Sequence, residues 1–206
     1  MNSLPTHARR LLALGDSYTV GEGLAPAQAW PAQLSRRLAA TGIALEPTLI
    51  ATTGWTTDEL AAGIDAAAPA GPFDLVSLSI GVNNQYRSRA VDNYRDEFAS
   101  LLERAIELAG GYATRVLVVS IPDWGITAFG RRDPRGAARI GAEIDTFNAA
   151  AHAQTQRAGA RWINVTTISR GMPDQLADDG LHPAAAQYAA WLAAIAPVAR
   201  AALPPA

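Results

Sequence analysis

A serine hydroxyl becomes a useful nucleophile only when an imidazole can take its proton and a carboxylate orients that imidazole. The chain has three histidines to offer. His7 falls in the N-terminal tail and His152 inside a stretch of helical periodicity, whereas His182 stands in a polar loop, followed by Pro183 and three residues after Asp179. An Asp three positions before a His can share its turn, so that the carboxylate reaches Nδ1 while Nε2 faces the nucleophile. His182 is therefore the natural base and Asp179 its partner, with Asp178 a weaker candidate by spacing. The matching serine is Ser17, where the apolar run 10–14 ends abruptly in Gly15-Asp16-Ser17-Tyr18.

Acyl transfer also needs donors aimed at the oxygen that becomes negative. Three are available, each after a different predicted strand: the N–H of Ser17, the N–H of Gly54, which has no Cβ to block approach, and the side-chain amide of Asn83. Taken singly, these features have plainer readings. Gly-Asp-Ser makes ordinary turns, Asn tolerates unusual turn conformations, and Asp-x-x-His before Pro suits a helix entrance. Asp178, Asp179 and His182 as metal ligands lack a second cluster of matching spacing, and there are no cysteines. Gly21-Glu22-Gly23 lacks the third glycine of a dinucleotide fingerprint. Trp55 and Trp124 fall in loops beside the candidate site, and with Tyr86 and Phe129 they are candidates to wall an acyl pocket. Trp30, Trp162 and Trp191 fit helix or strand packing. Arg87, Arg131 and Arg132 read as solvated surface, with contact to an anionic substrate group as the alternative.

These residues need a scaffold. Periodicity predicts strands near 10–14, 43–51, 73–80, 115–121 and 161–165, and helices near 29–41, 57–68, 91–108, from Pro134 to about 157, and after Pro183. Strict alternation of strand and helix argues for an α/β fold with a parallel sheet and helices on both faces, whose ligands bind beyond the carboxyl ends of the strands. The loops holding Ser17, Gly54, Asn83, Asp123 and 178–182 all lie at that edge.

With 206 residues, one domain spanning 1–206 is the simplest organisation. Seventeen basic against nineteen acidic residues leave a net charge of −2 with no run of either sign, which argues against a nucleic-acid partner. No stretch is apolar for long enough to span a membrane or to form a signal-peptide core, so the expected location is the cytoplasm. A chain whose leader had been removed would read the same.

The blocks containing these residues carry a resemblance. Gly15-Asp16-Ser17-Tyr18-Thr19-Val20-Gly21-Glu22-Gly23, Thr53-Gly54-Trp55, Gly81-Val82-Asn83-Asn84 and Asp179-Gly180-Leu181-His182-Pro183 resemble, in order, the four blocks of the SGNH (GDSL) hydrolases. The resemblance spans nearly the whole chain. It implies a three-layer α/β/α sandwich of about five parallel strands, the flavodoxin-like SGNH fold. It also implies hydrolysis of carboxylic esters or thioesters by Ser17, His182 and Asp179 without metal or cofactor. The expected partner is a small-molecule ester; an acyltransferase or carbohydrate deacetylase with the same triad, or a non-catalytic binding module, is the alternative. One position departs: the family usually has Asp where this chain has Asn84, which puts local hydrogen bonding in question. The absence of G-x-S-x-G argues against the ordinary α/β-hydrolase fold.

Overall fold

The computed structural model describes residues 8–204; His7 lies outside them. Five strands, β1 (Arg9–Gly15), β2 (Leu45–Ala51), β3 (Leu75–Ser79), β4 (Val116–Val119) and β5 (Arg161–Ile163), form one sheet in the order β2-β1-β3-β4-β5. Every pairing is parallel. The three central strands are buried on both faces: the whole of β3, including Ser77 and Ser79, the whole of β4, and Leu11 to Leu14 of β1, as a sheet covered by helices requires. Strand β2 is an edge, pairing only with β1, and can therefore carry Pro47.

Helix α1 is a single turn, Ser17–Val20, followed by α2 (Trp30–Ala39), α3 (Thr57–Ala67), α4 (Val82–Tyr86), α5 (Val91–Leu108), α6 (Ala137–Ala158), α7 (Thr166–Arg170) and α8 (Ala185–Ala202). Helix α2 packs on α8 on one face of the sheet, while α5 packs on α3 and α6 on the other, giving three layers. The burial follows helical spacing: Trp30, Leu34 and Leu38 on α2; Tyr94, Phe98, Leu101, Leu102 and Ala105 on α5. Helix α3 opens with a capping box, Thr56 with Glu59.

Four helices differ from the sequence-based expectation. The helix expected from Pro134 begins at Ala137, because the Asp133 carboxylate accepts the Arg135 N–H in a local turn and Gly136 adopts φ 79°. The segments after β1 and β3, read as loops, each contain one short helix, α1 and α4, too brief to show a hydrophobic period. Helix α7 was hidden within the polar stretch after β5 for the same reason.

Between β1 and β3 the chain order reverses, since β2 lies on one side of β1 and the rest of the sheet on the other. Such a switch point opens a crevice at the carboxyl ends of the strands. Residue 17 follows β1, residues 53–55 follow β2 and residues 82–86 follow β3, so the topology gathers three distant segments there.

Candidate active site

Ser17 is the first residue of α1, whose cap is Asp16. The Asp16 carboxylate accepts the Tyr18 N–H at 3.0 Å, and Gly21 ends the turn at φ 80°. The Tyr188 hydroxyl of α8 donates to the Tyr18 carbonyl, tying this turn to the helical layer beneath. Being at the first helical position, the Ser17 N–H has no intrahelical acceptor. Nor does any other acceptor among the described residues take it.

His182 arrives from the other end of the chain. The loop 177–182 is closed by the Ala177 N–H donating to the His182 carbonyl, and Asp179 Oδ1 accepts the N–H groups of both Leu181 and His182. The second carboxylate oxygen, Oδ2, lies 2.6 Å from His182 Nδ1, and Nε2 lies 2.9 Å from Ser17 Oγ. Burial pushes the Asp179 carboxyl upward, but the imidazole and the N–H groups of His182 and Leu181 outweigh it and hold the group below its ordinary value. An ionised carboxylate can only accept, so Nδ1 carries the hydrogen and Nε2 presents its lone pair to the serine hydroxyl. Ser17 and His182 are both buried. Of the two neighbouring acids, the structure brings Asp179 to the imidazole; Asp178 is exposed and lies outside this network.

Gly54 adopts φ +88°, a conformation that side-chain-bearing residues rarely hold, and its N–H has no partner among the described residues. The loop around it is gripped from α4. Asn83 Nδ2 donates to the Trp55 carbonyl at 2.9 Å, using one of its two hydrogens, and an Arg87 guanidinium nitrogen donates to the Gly54 carbonyl at 2.7 Å while pairing with Glu59. Arg87 is thus a brace of the Gly54 loop, whereas Arg131 and Arg132 occupy an exposed turn.

Asn84 explains itself one step deeper. Its Oδ1 accepts the Thr57 N–H at 3.1 Å, its Nδ2 donates to Thr57 Oγ1 at 2.7 Å, and that hydroxyl in turn donates to Glu97. An Asp here would compete with Glu97 for a single hydroxyl hydrogen, inside a fully buried position. Asn84→Asp is therefore expected to lower stability by about 1–3 kcal/mol, the cost of an unsatisfied buried polar group, measured by chemical denaturation. An unchanged midpoint would contradict this account.

Ser17, Gly54, Asn83 and His182 open on one cavity of about 220 Å³. Tyr86, Trp124 and Phe129 wall it, joined by Tyr18, Val82 and Leu181, which sequence reasoning missed although each is the chain neighbour of a residue it singled out. Trp55 does not line it. Its ring lies on α3 where Gly63 leaves room: a Cβ there would sit 2.2 Å from the indole. His152 stacks on Trp162, with ring centroids 4.9 Å apart.

Asp16 is the one strongly perturbed acid beside the serine. Burial pushes its carboxyl up to about 7, despite the opposing hydrogen bond from Tyr18. Between the ordinary carboxylate range and about pH 7, the folded chain keeps a proton on Asp16 that the unfolded chain has released. Stability from this group therefore declines as pH rises through that window and is level above it. Asp16→Asn retains the Oδ1 acceptor and should flatten that decline in thermal melts between about pH 5 and pH 8, with its largest gain over wild type at the upper end. Parallel melting curves would count against a buried, proton-holding Asp16.

An arrangement in which an imidazole is hydrogen-bonded to a hydroxyl on one side and a carboxylate on the other, with free N–H groups nearby, is suited to nucleophilic acyl transfer. No helix among the described residues is long and apolar enough to cross a membrane.

No curated protein matches the sequence. Among solved structures, TesA superposes with a TM-score of 0.74 at 24% identity, covering 95% of this chain and 100% of that one. The lipase/acylhydrolase from Enterococcus faecalis gives 0.73 at 22%, covering 96% and 98%. An acetylxylan esterase from Geobacillus stearothermophilus gives 0.70 at 18%, covering 94% and 93%. These likenesses show a shared fold. The sequence profile of the GDSL-like lipase/acylhydrolase family matches residues 13–190, a span that holds all four segments meeting at the cavity. The chain belongs to the GDSL-like lipase/acylhydrolase family, and with it to the ester hydrolases.

Proposed function

We propose that this chain hydrolyses small or short-chain acyl esters through an acyl-enzyme on Ser17. The Ser17 hydroxyl attacks the ester carbonyl as His182 Nε2 takes its proton, and Asp179 stabilises the imidazolium that forms. His182 then protonates the departing alkoxide and the alcohol leaves. A water, giving its proton to the same nitrogen, attacks the acyl-enzyme, and the acid departs as Ser17 recovers its hydrogen. The oxyanion of both steps is received by the N–H of Ser17, the N–H of Gly54 and the second hydrogen of Asn83 Nδ2.

The observation that carries this reading is the continuous Ser17–His182–Asp179 hydrogen-bonded series opening on an apolar cavity. A volume of about 220 Å³ lies below the roughly 300–1,000 Å³ of sites for drug-sized ligands, which supports a short acyl group. The same volume suits an acetyl group carried on a carbohydrate whose bulk stays outside, in keeping with the fold shared with an acetylxylan esterase. Labelling by a fluorophosphonate, together with hydrolysis of p-nitrophenyl esters from acetate to octanoate, tests the proposal. Acetylated xylo-oligosaccharides assayed in parallel separate the two substrate classes. A chain that is neither labelled nor active would sink it and restore a non-catalytic binding role.

A further inference from the structure

The aromatic wall of the cavity is held from behind by residues that do not touch it. Trp124 is buried, and its backbone has little freedom. Its carbonyl accepts from both the N–H and the hydroxyl of Thr127, and a Cβ on Gly130 would lie 2.1 Å from that oxygen. What remains adjustable is the direction of the indole. On the cavity side its neighbours are Tyr86 and Phe129, at ring separations of 5.4 and 6.1 Å, and these are 46% and 41% exposed.

A polar hold on the indole comes from Gln85, a residue of α4 that does not line the cavity. Its Oε1 accepts the indole Nε1–H at 2.8 Å, and its Nε2 donates to Glu143 of α6, also at 2.8 Å. A primary amide that uses both ends in this way has its O and N assigned by its partners, since an indole only donates and a carboxylate only accepts. Glu143 is fixed in turn by Arg139. The Arg135 guanidinium lies over the Trp124 ring at 5.0 Å and over Tyr86 at 5.4 Å, and is itself anchored by Asp133.

We propose that Gln85, held by Glu143, is the positioning residue that sets the acyl-length limit of the cavity by locking the Trp124 indole as its wall. This rests on the esterase reading above. Without Gln85 the buried indole N–H loses its acceptor, and the ring regains an incentive to turn towards the cavity mouth and water. Such a turn removes the wall and lengthens the acyl channel, while Ser17, His182 and the oxyanion donors keep their own supports.

The test compares kcat and KM for p-nitrophenyl acetate and octanoate in wild type, Gln85→Leu, and the exchange variant Gln85→Glu/Glu143→Gln. The octanoate-to-acetate ratio of kcat/KM should rise about tenfold in Gln85→Leu, mainly through a lower KM for octanoate, with acetate turnover near wild type. In the exchange variant the indole still donates to position 85, now a carboxylate, and the amide at position 143 donates to that same carboxylate; only the 85–143 bond reverses, so the ratio should return towards wild type. A ratio unchanged in Gln85→Leu, or equal losses on both esters, would overturn the proposal. Should Gln85→Leu fail to fold, an exchange variant with the shifted ratio would overturn it equally. A wild type inert to every ester would overturn both this inference and the esterase reading, whereas an active wild type with an insensitive ratio would remove only Gln85.

Discussion

Ser17→Ala is expected to lower kcat on p-nitrophenyl esters by about 10⁴- to 10⁶-fold, and His182→Ala by a similar factor. The reason lies in how the two groups divide one task. Ser17 Oγ is 2.9 Å from Nε2, so its proton has one path, and removing either atom ends that path. The double variant should therefore be no slower than either single one, because an interrupted step cannot be interrupted twice. Residual turnover should come from the donors that Ser17→Ala leaves intact: the N–H of residue 17, the Gly54 N–H and the Asn83 amide. In Ser17→Ala stability should barely change, since the lost hydroxyl makes no other hydrogen bond among the described residues than the one to His182. Steady-state rates alongside fluorophosphonate labelling make the check, and activity persisting in Ser17→Ala would show that another residue carries the chemistry.

The second large effect concerns Asp179. Its Oδ1 is committed to two backbone N–H groups, those of Leu181 and His182, while Oδ2 faces the imidazole. In Asp179→Asn the amide oxygen must keep the Oδ1 position, because an NH2 group there would meet two donors. The amide nitrogen then faces Nδ1 and donates to it. That reverses the tautomer: Nδ1 becomes the acceptor, Nε2 carries the hydrogen, and the imidazole can no longer take the proton of Ser17. We expect a fall in kcat of up to about 10⁴-fold with the loop geometry preserved. Asp179→Ala, which does not force the wrong tautomer, should retain more activity than Asp179→Asn. The reverse order, from rates of the two variants measured together, would mean that charge and not tautomer is what Asp179 contributes.

Elements with a long hydrophobic period were legible in the chain before folding. Helix α5 repeats its buried positions every three or four residues, β4 is an unbroken apolar run and β3 is apolar apart from two serines, so local pattern and final burial coincide. Helices α1 and α4 left no such trace, since four or five residues complete barely one turn. Helix α6 begins later than its proline suggested, because a turn centred on Asp133 competes for the same backbone.

The candidate site divides along a similar line. The residues at 17, 54, 83, 179 and 182 were readable as candidates because each stands in a short block whose residue types suit one task, and because four such blocks follow one another in order; singly, each has a plainer reading. What the chain order could not disclose is where side chains point once helices pack. Trp55 and Trp124 look equivalent as loop aromatics, yet one lies on Gly63 of α3 and the other walls the cavity. Arg87 reads as a surface charge until α4 is set beside the 52–56 loop, where it grips the Gly54 carbonyl. Gln85 and Glu143 are fifty-eight residues apart and unremarkable singly. Spacing along the chain reports only contacts within a turn or two, so it can nominate the candidate groups; the packing of α4 and α6 against the strand ends, which no local pattern encodes, decides the walls and braces around them.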